Sequence, residues 1–125
     1  MRENEIAKAV VHLCYEIHNT YGPGLYERVY EKIVCYELQN AGIPFKQQCP
    51  IPVVHKVVSM GIGFRADLIV DDLLLVELKA VEEISKVHRS QVLNYLKLAD
   101  LKLGLLINFN VALIKNGMHR IANDL

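Results

Sequence analysis

Three charged residues interrupt runs that are otherwise apolar. Residues 73–80 read LLLVELKA, and Glu77 and Lys79 are their only charges. In a strand, successive side chains alternate faces. Leu74, Val76, Leu78 and Ala80 then share one face, and Leu73, Leu75, Glu77 and Lys79 the other. Asp67 holds a similar position in the preceding run, RADLIV. Burying an unpaired carboxylate costs several kcal/mol, so such a group calls for a partner or a metal ion. The plainer alternative is a Glu77–Lys79 ion pair on a half-exposed face, with Asp67 at a strand end.

Two helical stretches carry further polar groups on apolar stripes. Residues 25–40 have helical periodicity and end near Gly42, a natural residue to follow a helix C-terminus. On this helix Glu27, Tyr30, Val34 and Leu38 form one stripe, and Leu25, Val29, Ile33 and Tyr36 a second. Apolar residues on two sides predict a helix packed between layers. Glu27 then heads a buried stripe, although an acid in a first turn is also favoured by the helix dipole. Ser85 is a candidate N-cap for a helix from Lys86 to about Ala99. There His88, Gln91, Tyr95 and Leu98 align beside the apolar stripe Val92, Leu96 and Ala99. Polar groups on an inward face need hydrogen-bond partners, which a structural network can also supply.

The remaining elements follow from texture. Ile6, Val10, Leu13, Cys14 and Ile17 mark an N-terminal helix, which YGPG closes with a turn. IPFKQQCPIPVVHKVV contains three prolines and reads as an irregular or edge strand. The runs around Asp71-Asp72 read as a hairpin. LGLLINF is a continuous apolar run, the mark of a strand buried on both faces. Asn116-Gly117, between residues 112–115 and 118–122, predicts a second hairpin. The order is two helices, three strands, a helix, then one or more strands. It indicates an α/β sandwich with a mixed sheet.

Composition bounds the function. At 125 residues the chain fits one domain, residues 1–125. Hydrophobic residues at 52% and charged residues at 22% exclude a disordered chain or a disulfide scaffold. Fourteen Lys+Arg balance fourteen Asp+Glu, so bulk charge alone gives no tight grip on nucleic acid. Cys14, Cys35 and Cys49 are too scattered for a zinc site and read as free thiols in a reducing compartment. No run suits a signal peptide or a membrane helix. The expectation is a soluble cytoplasmic protein without membrane association.

Together these residues resemble a known family. Gly24-Leu-Tyr-Glu27-Arg-Val-Tyr30 has the form GxxExxY. It is followed by Asp67, then Glu77-Leu-Lys79 as ExK, then Gln91 and Tyr95 as QxxxY. The chain resembles the GxxExxY proteins, a branch of the PD-(D/E)XK nuclease superfamily, from about Ile6 to Asn123. The resemblance implies the restriction-endonuclease-like αβββαβ core with an extra N-terminal helix, which agrees with the order above. It implies a metal-dependent nuclease acting on nucleic acid, DNA ahead of RNA. Asp67, Glu77 and the Leu78 carbonyl would bind Mg²⁺ or Mn²⁺, with Glu27 joining directly or through water. Lys79 would orient or deprotonate the attacking water. Gln91 and Tyr95 would border the site, Gln91 among the catalytic residues and Tyr95 against nucleic acid. His88 and Arg65 would contact phosphate, and Tyr30 would support the site structurally. The alternative is a catalytically silent binding or interaction module on the same fold. The small neutral surface suggests that a second copy or a larger partner supplies area for gripping a duplex, where specific interfaces bury roughly 1,000–2,500 Å² of protein.

These expectations have geometric consequences. A two-residue loop at Asp71-Asp72 would put Asp67 opposite Val76, on the wrong face from Glu77. An odd loop of residues 71–73, or a bulge near Asp67, puts Asp67 with Glu77. Gln91 and Tyr95 should face these strands rather than solvent.

Overall fold

The computed structural model describes residues 2–125. Two helices come first, α1 (Arg2–Tyr21) and α2 (Glu27–Asn40). Three strands follow, β1 (Phe45–His55), β2 (Val58–Val70) and β3 (Leu74–Lys79). Helix α3 (Lys86–Ala99) leads into β4 (Leu103–Asn108), and a 3₁₀ turn (Ile114–Gly117) precedes β5 (Met118–Ala122). The five strands lie in the order β1-β2-β3-β4-β5. Only β3 and β4 run parallel, because α3 carries the chain across one face between them. The mixed α/β sheet is thus the expected αβββαβ core, preceded by α1 and extended by β5.

Two apolar layers hold the sheet. One lies under α1 and α2 and buries Val10, Cys14, Tyr30, Val34 and Leu38 against Leu68, Leu74, Val76, Leu78 and Leu105. The other lies under α3 and buries Val92 and Leu96 against Ala66, Ile69, Leu75 and Leu106. Helix α2 buries a single stripe, Tyr30, Val34 and Leu38. Its second stripe is only partly covered and Tyr36 is exposed, so the expectation of a helix between two layers is corrected. Of that stripe, Leu25 and Ile33 pack at the edge of the same layer. Gly104 of β4 lets α3 approach closely, since a Cβ there would stand 3.0 Å from Val92 Cγ1.

The Asn116-Gly117 hairpin does not form. Ile114–Gly117 is a 3₁₀ turn, and β5 pairs back onto β4 across it. Ile114 is buried in the α1/α2 layer, so the connection tucks inward. Gly117 approaches the Asn108 carbonyl so closely that no side chain fits. The glycine serves a close approach here rather than a two-residue turn.

The three cysteines are free thiols. Among the described residues, no helix is long and apolar enough to cross a membrane.

Candidate active site

The β2–β3 loop decides where the acids point. Val70 pairs with Leu74, leaving the three-residue loop Asp71, Asp72 and Leu73. Asp71 and Asp72 adopt left-handed φ values of 52° and 54°, which aspartate tolerates better than most side chains. Leu73 N–H closes the turn on the Val70 carbonyl at 3.0 Å. The odd loop puts Asp67 across from Glu77, as the sequence required.

The face also switches along β2. Phe64, Ala66 and Ile69 all belong to the α3 layer, whereas Leu68 and Val70 belong to the α1/α2 layer. Strict alternation cannot put both Ala66 and Ile69 on one face. The slip falls at Asp67. The β1–β2 ladder pairs Gln47 with Leu68 and Cys49 with Ala66, but the intervening Gln48–Asp67 rung is missing. Gln48 has a φ of 50°.

At this point side chains take over from the ladder. The β2–β3 pairing stops at Leu68–Val76. Beyond it, Asp67 N–H donates to Glu77 Oε1 at 3.3 Å, and Leu78 N–H donates to Asp67 Oδ2 at 2.9 Å. Each carboxylate occupies a place that a strand carbonyl would otherwise fill. The Leu78 carbonyl shares this edge with its own N–H, since a strand residue turns both groups the same way. Lys79 turns to the other edge, where its carbonyl accepts Phe109 N–H at 2.9 Å.

Glu77 is only 7% exposed, and it forms no salt bridge among the described residues. The Glu77–Lys79 ion pair is therefore absent. Burial pushes the Glu77 carboxyl up to about 9, and the charge of Asp67 and a hydrogen bond shared with its carboxylate add to this. Asp67 N–H and the more distant Lys79 offset only part of the rise. A buried acid next to a second acid retains its proton at neutral pH.

Glu27 approaches from the first turn of α2. Burial raises its pKa, the Lys79 charge lowers it, Asp67 raises it, the Ala80 N–H lowers it by hydrogen bonding, and Glu31 raises it. Glu27 thus shares the electrostatic field of Asp67 and Lys79. The turn before it is fixed by Tyr30, whose hydroxyl donates to the Gly22 carbonyl and accepts Leu25 N–H at 3.2 Å. Tyr30 also stacks on Phe109, with ring centroids 4.3 Å apart. The tyrosine end of GxxExxY therefore holds the turn that leads into its central acid.

The residues of α3 divide. Tyr95 is half-buried and stacks on Phe64 at 3.6 Å between centroids. It packs in the α3 layer against the sheet, and burial raises its pKa, with the charges of Glu77 and Asp67 adding to the rise. Gln91 is exposed. The helix buries only Val92 and Leu96, a stripe too narrow to draw Gln91 inward, so the expected inward orientation holds for Tyr95 alone. Ser85 caps α3 as expected, accepting His88 N–H at 3.2 Å, and His88 Nδ1 in turn accepts Ser85 N–H at 3.0 Å. His88 is thus committed through Nδ1 to a capping box. Arg65 is exposed and alternates with Phe64 and Ala66, which turns it away from the α3 layer.

Three contributors carried no role in the sequence reading. Asn108 is buried and clamps Val81, accepting its N–H at 3.1 Å and donating to its carbonyl at 2.9 Å. It fixes the chain just after Lys79 and Ala80. Its signal is a lone amide inside the apolar run LGLLINF. Glu31 and Gln48 form a hydrogen-bonded chain to Asp67. Glu31 stands one turn after Glu27, a spacing open to inspection. Gln48 is marked only by the break in alternation that Gln47-Gln48 makes.

Among the described residues, no three His, Cys, Asp or Glu side chains gather to hold a metal ion. The donor set is two carboxylates, Asp67 and Glu77, beside the Leu78 carbonyl. Mg²⁺ and Mn²⁺ favour such oxygens, and Mg²⁺ is commonly held by one or two carboxylates with water completing the octahedron. Two carboxylates beside a backbone carbonyl are therefore a donor set that would fit a hard divalent cation.

The family model of the PD-(D/E)XK nuclease superfamily matches residues 4–121. No curated protein and no solved structure gives a significant match.

Proposed function

Because the chain belongs to the PD-(D/E)XK nuclease superfamily, we propose that the Asp67–Glu77 pair is the centre of a cation-dependent phosphodiesterase acting on nucleic acid, DNA ahead of RNA. The observation that carries this reading is Glu77, a buried acid beside a second acid and without a salt bridge. A fold gains no stability from that arrangement unless something else uses it. Asp67, Glu77 and the Leu78 carbonyl would hold Mg²⁺ or Mn²⁺, with Glu27 behind a water. Such a cation polarises a phosphate and lowers the pKa of a bound water. Lys79 orients the attacking water and offsets charge that develops on the phosphate oxygens. Tyr95 borders the site from α3 and can meet a sugar or base. Gln91 and His88 stand further along the same helix, where a bound strand would pass. The GxxExxY motif supports this branch of the superfamily, since its tyrosine and glycine segment present Glu27.

A silent module on the same fold is the other reading, favoured by the net charge of zero. Cleavage of single- and double-stranded DNA and of RNA, in Mg²⁺, Mn²⁺ or EDTA, separates the two. The proposal expects cation-dependent cleavage of DNA, reduced by about 100-fold or more in Glu77→Gln and in Lys79→Ala. Cation binding with DNA retained intact would assign the chain to the silent class.

A further inference from the structure

The hydrogen-bonded chain on the far side of Asp67 has a direction. Asp67 Oδ2 is pinned to the β3 backbone by Leu78 N–H at 2.9 Å. Its other oxygen, Oδ1, accepts from Gln48 Nε2 at 3.3 Å. The same Nε2 donates to both oxygens of Glu31, at 3.0 and 3.1 Å. Gln47 Nε2 holds Glu31 Oε2 from beside it at 2.7 Å. One neutral amide thus bridges two carboxylates, and only the NH₂ end of a glutamine can do so, because both neighbours are acceptors. A lysine in that place would also bridge them, but its positive charge would compete with a cation for Asp67.

The backbone is bent to make this bridge. Gln48 takes a left-handed φ of 50°, where a glutamine is uncommon, and its rung with Asp67 is missing from the ladder. The distortion coincides with the face switch at Asp67. We propose that Gln48, anchored by Glu31, is a positioning residue that locks the Asp67 carboxylate in the orientation a divalent cation needs. The two ends of the carboxylate are held from opposite sides, by β3 and by β1, so the side chain keeps one rotamer. Outer partners of this kind commonly set the affinity of the ligand they orient. The proposal rests on the cation-site reading above, but its most direct readout does not.

That readout is amide hydrogen exchange at Leu78 in the cation-free protein, followed by Mn²⁺ titration calorimetry. Gln48→Gly removes the amide while suiting the left-handed backbone, and Glu31→Ala removes the anchor while leaving Gln48. Both variants should exchange Leu78 N–H up to about tenfold faster, with the ladder amides of Leu74 and Val76 unchanged. Mn²⁺ affinity should fall by about tenfold or more in Gln48→Gly. An unchanged Leu78 rate in both variants overturns the positioning role, whatever the cation does. If the unaltered protein binds no cation while Leu78 still responds, the cation-site reading falls and the positioning of Asp67 by Gln48 stands.

Discussion

Glu77 concentrates the proposed chemistry of this chain in one titratable group. Unfolded, its carboxyl ionises near the ordinary value of 4.5, whereas burial and Asp67 raise it to about 9 in the fold. Between those values the folded state keeps a proton that the unfolded chain has lost. The stability this proton provides is complete below about 4.5, declines with rising pH by up to about 1.4 kcal/mol per unit, and levels off above about 9. Because Asp67 and Glu77 interact, the proton belongs to the pair. Urea unfolding between about pH 5 and about pH 8 should show this decline in the cation-free protein, and Glu77→Gln should flatten it. A steep loss of stability in Glu77→Gln at every pH would instead mark Glu77 as half of a structural pair. Asn108 acts at the same scale through geometry. Asn108→Ala removes both bonds to Val81 and a third, from Asn110 N–H at 3.2 Å. The variant should lose roughly 2–3 kcal/mol in denaturant unfolding, and cleavage should fall further as the chain after Lys79 loosens. Asp67, Glu77 and Lys79 were legible from sequence because charge inside an apolar strand is costly. Asn108 was less so, since a single amide in an apolar run does not say which backbone it meets.

At the level of elements, the site is assembled by turns more than by strands. The three-residue loop 71–73 sets the register that brings Asp67 to Glu77, and its need could be reasoned out before the fold was known. The face switch at Gln48 and Asp67 was anticipated only as a bulge near Asp67, because nothing in Gln47-Gln48 reveals a left-handed residue. The Asn116-Gly117 dipeptide misled for a related reason. It is a strong local signal, but the burial of Ile114 and the approach of Gly117 to Asn108 outweighed it. Periodicity located α3 correctly yet could not tell an inward position from one at the edge of the stripe, which is where Gln91 lies. The glycine segment before α2 offers a direct test. Tyr30→Phe deletes the bonds to Gly22 and Leu25 while keeping the stack on Phe109. Thermal or denaturant unfolding should show a loss of about 1–2 kcal/mol. Cleavage should fall by more than this loss of folded population explains, because Glu27 is no longer presented squarely.

The whole molecule is small for its proposed substrate. Its accessible surface is 7381 Å² and its net charge is zero, so a duplex interface of about 1,000–2,500 Å² would take roughly a seventh to a third of a surface with no general attraction for phosphate. We therefore expect weak, cation-assisted contact by one copy, with a second copy or a larger protein partner adding grip. Sedimentation with and without DNA should show whether the DNA-bound species contains more than one chain. Cation binding would also be a property of the entire fold, because only the folded, deprotonated pair would form the proposed site. Binding should release a proton near neutral pH and stabilise the fold by mass action. Melting temperature should therefore rise with Mg²⁺ or Mn²⁺ beyond what NaCl of equal ionic strength produces. The most direct measurement is a calorimetric titration of Mn²⁺ and Mg²⁺ into the cation-free protein, run beside Asp67→Ala. The account predicts saturable binding to the unaltered chain and its loss in Asp67→Ala. Equal binding by both proteins, or none by the unaltered chain, would contradict it.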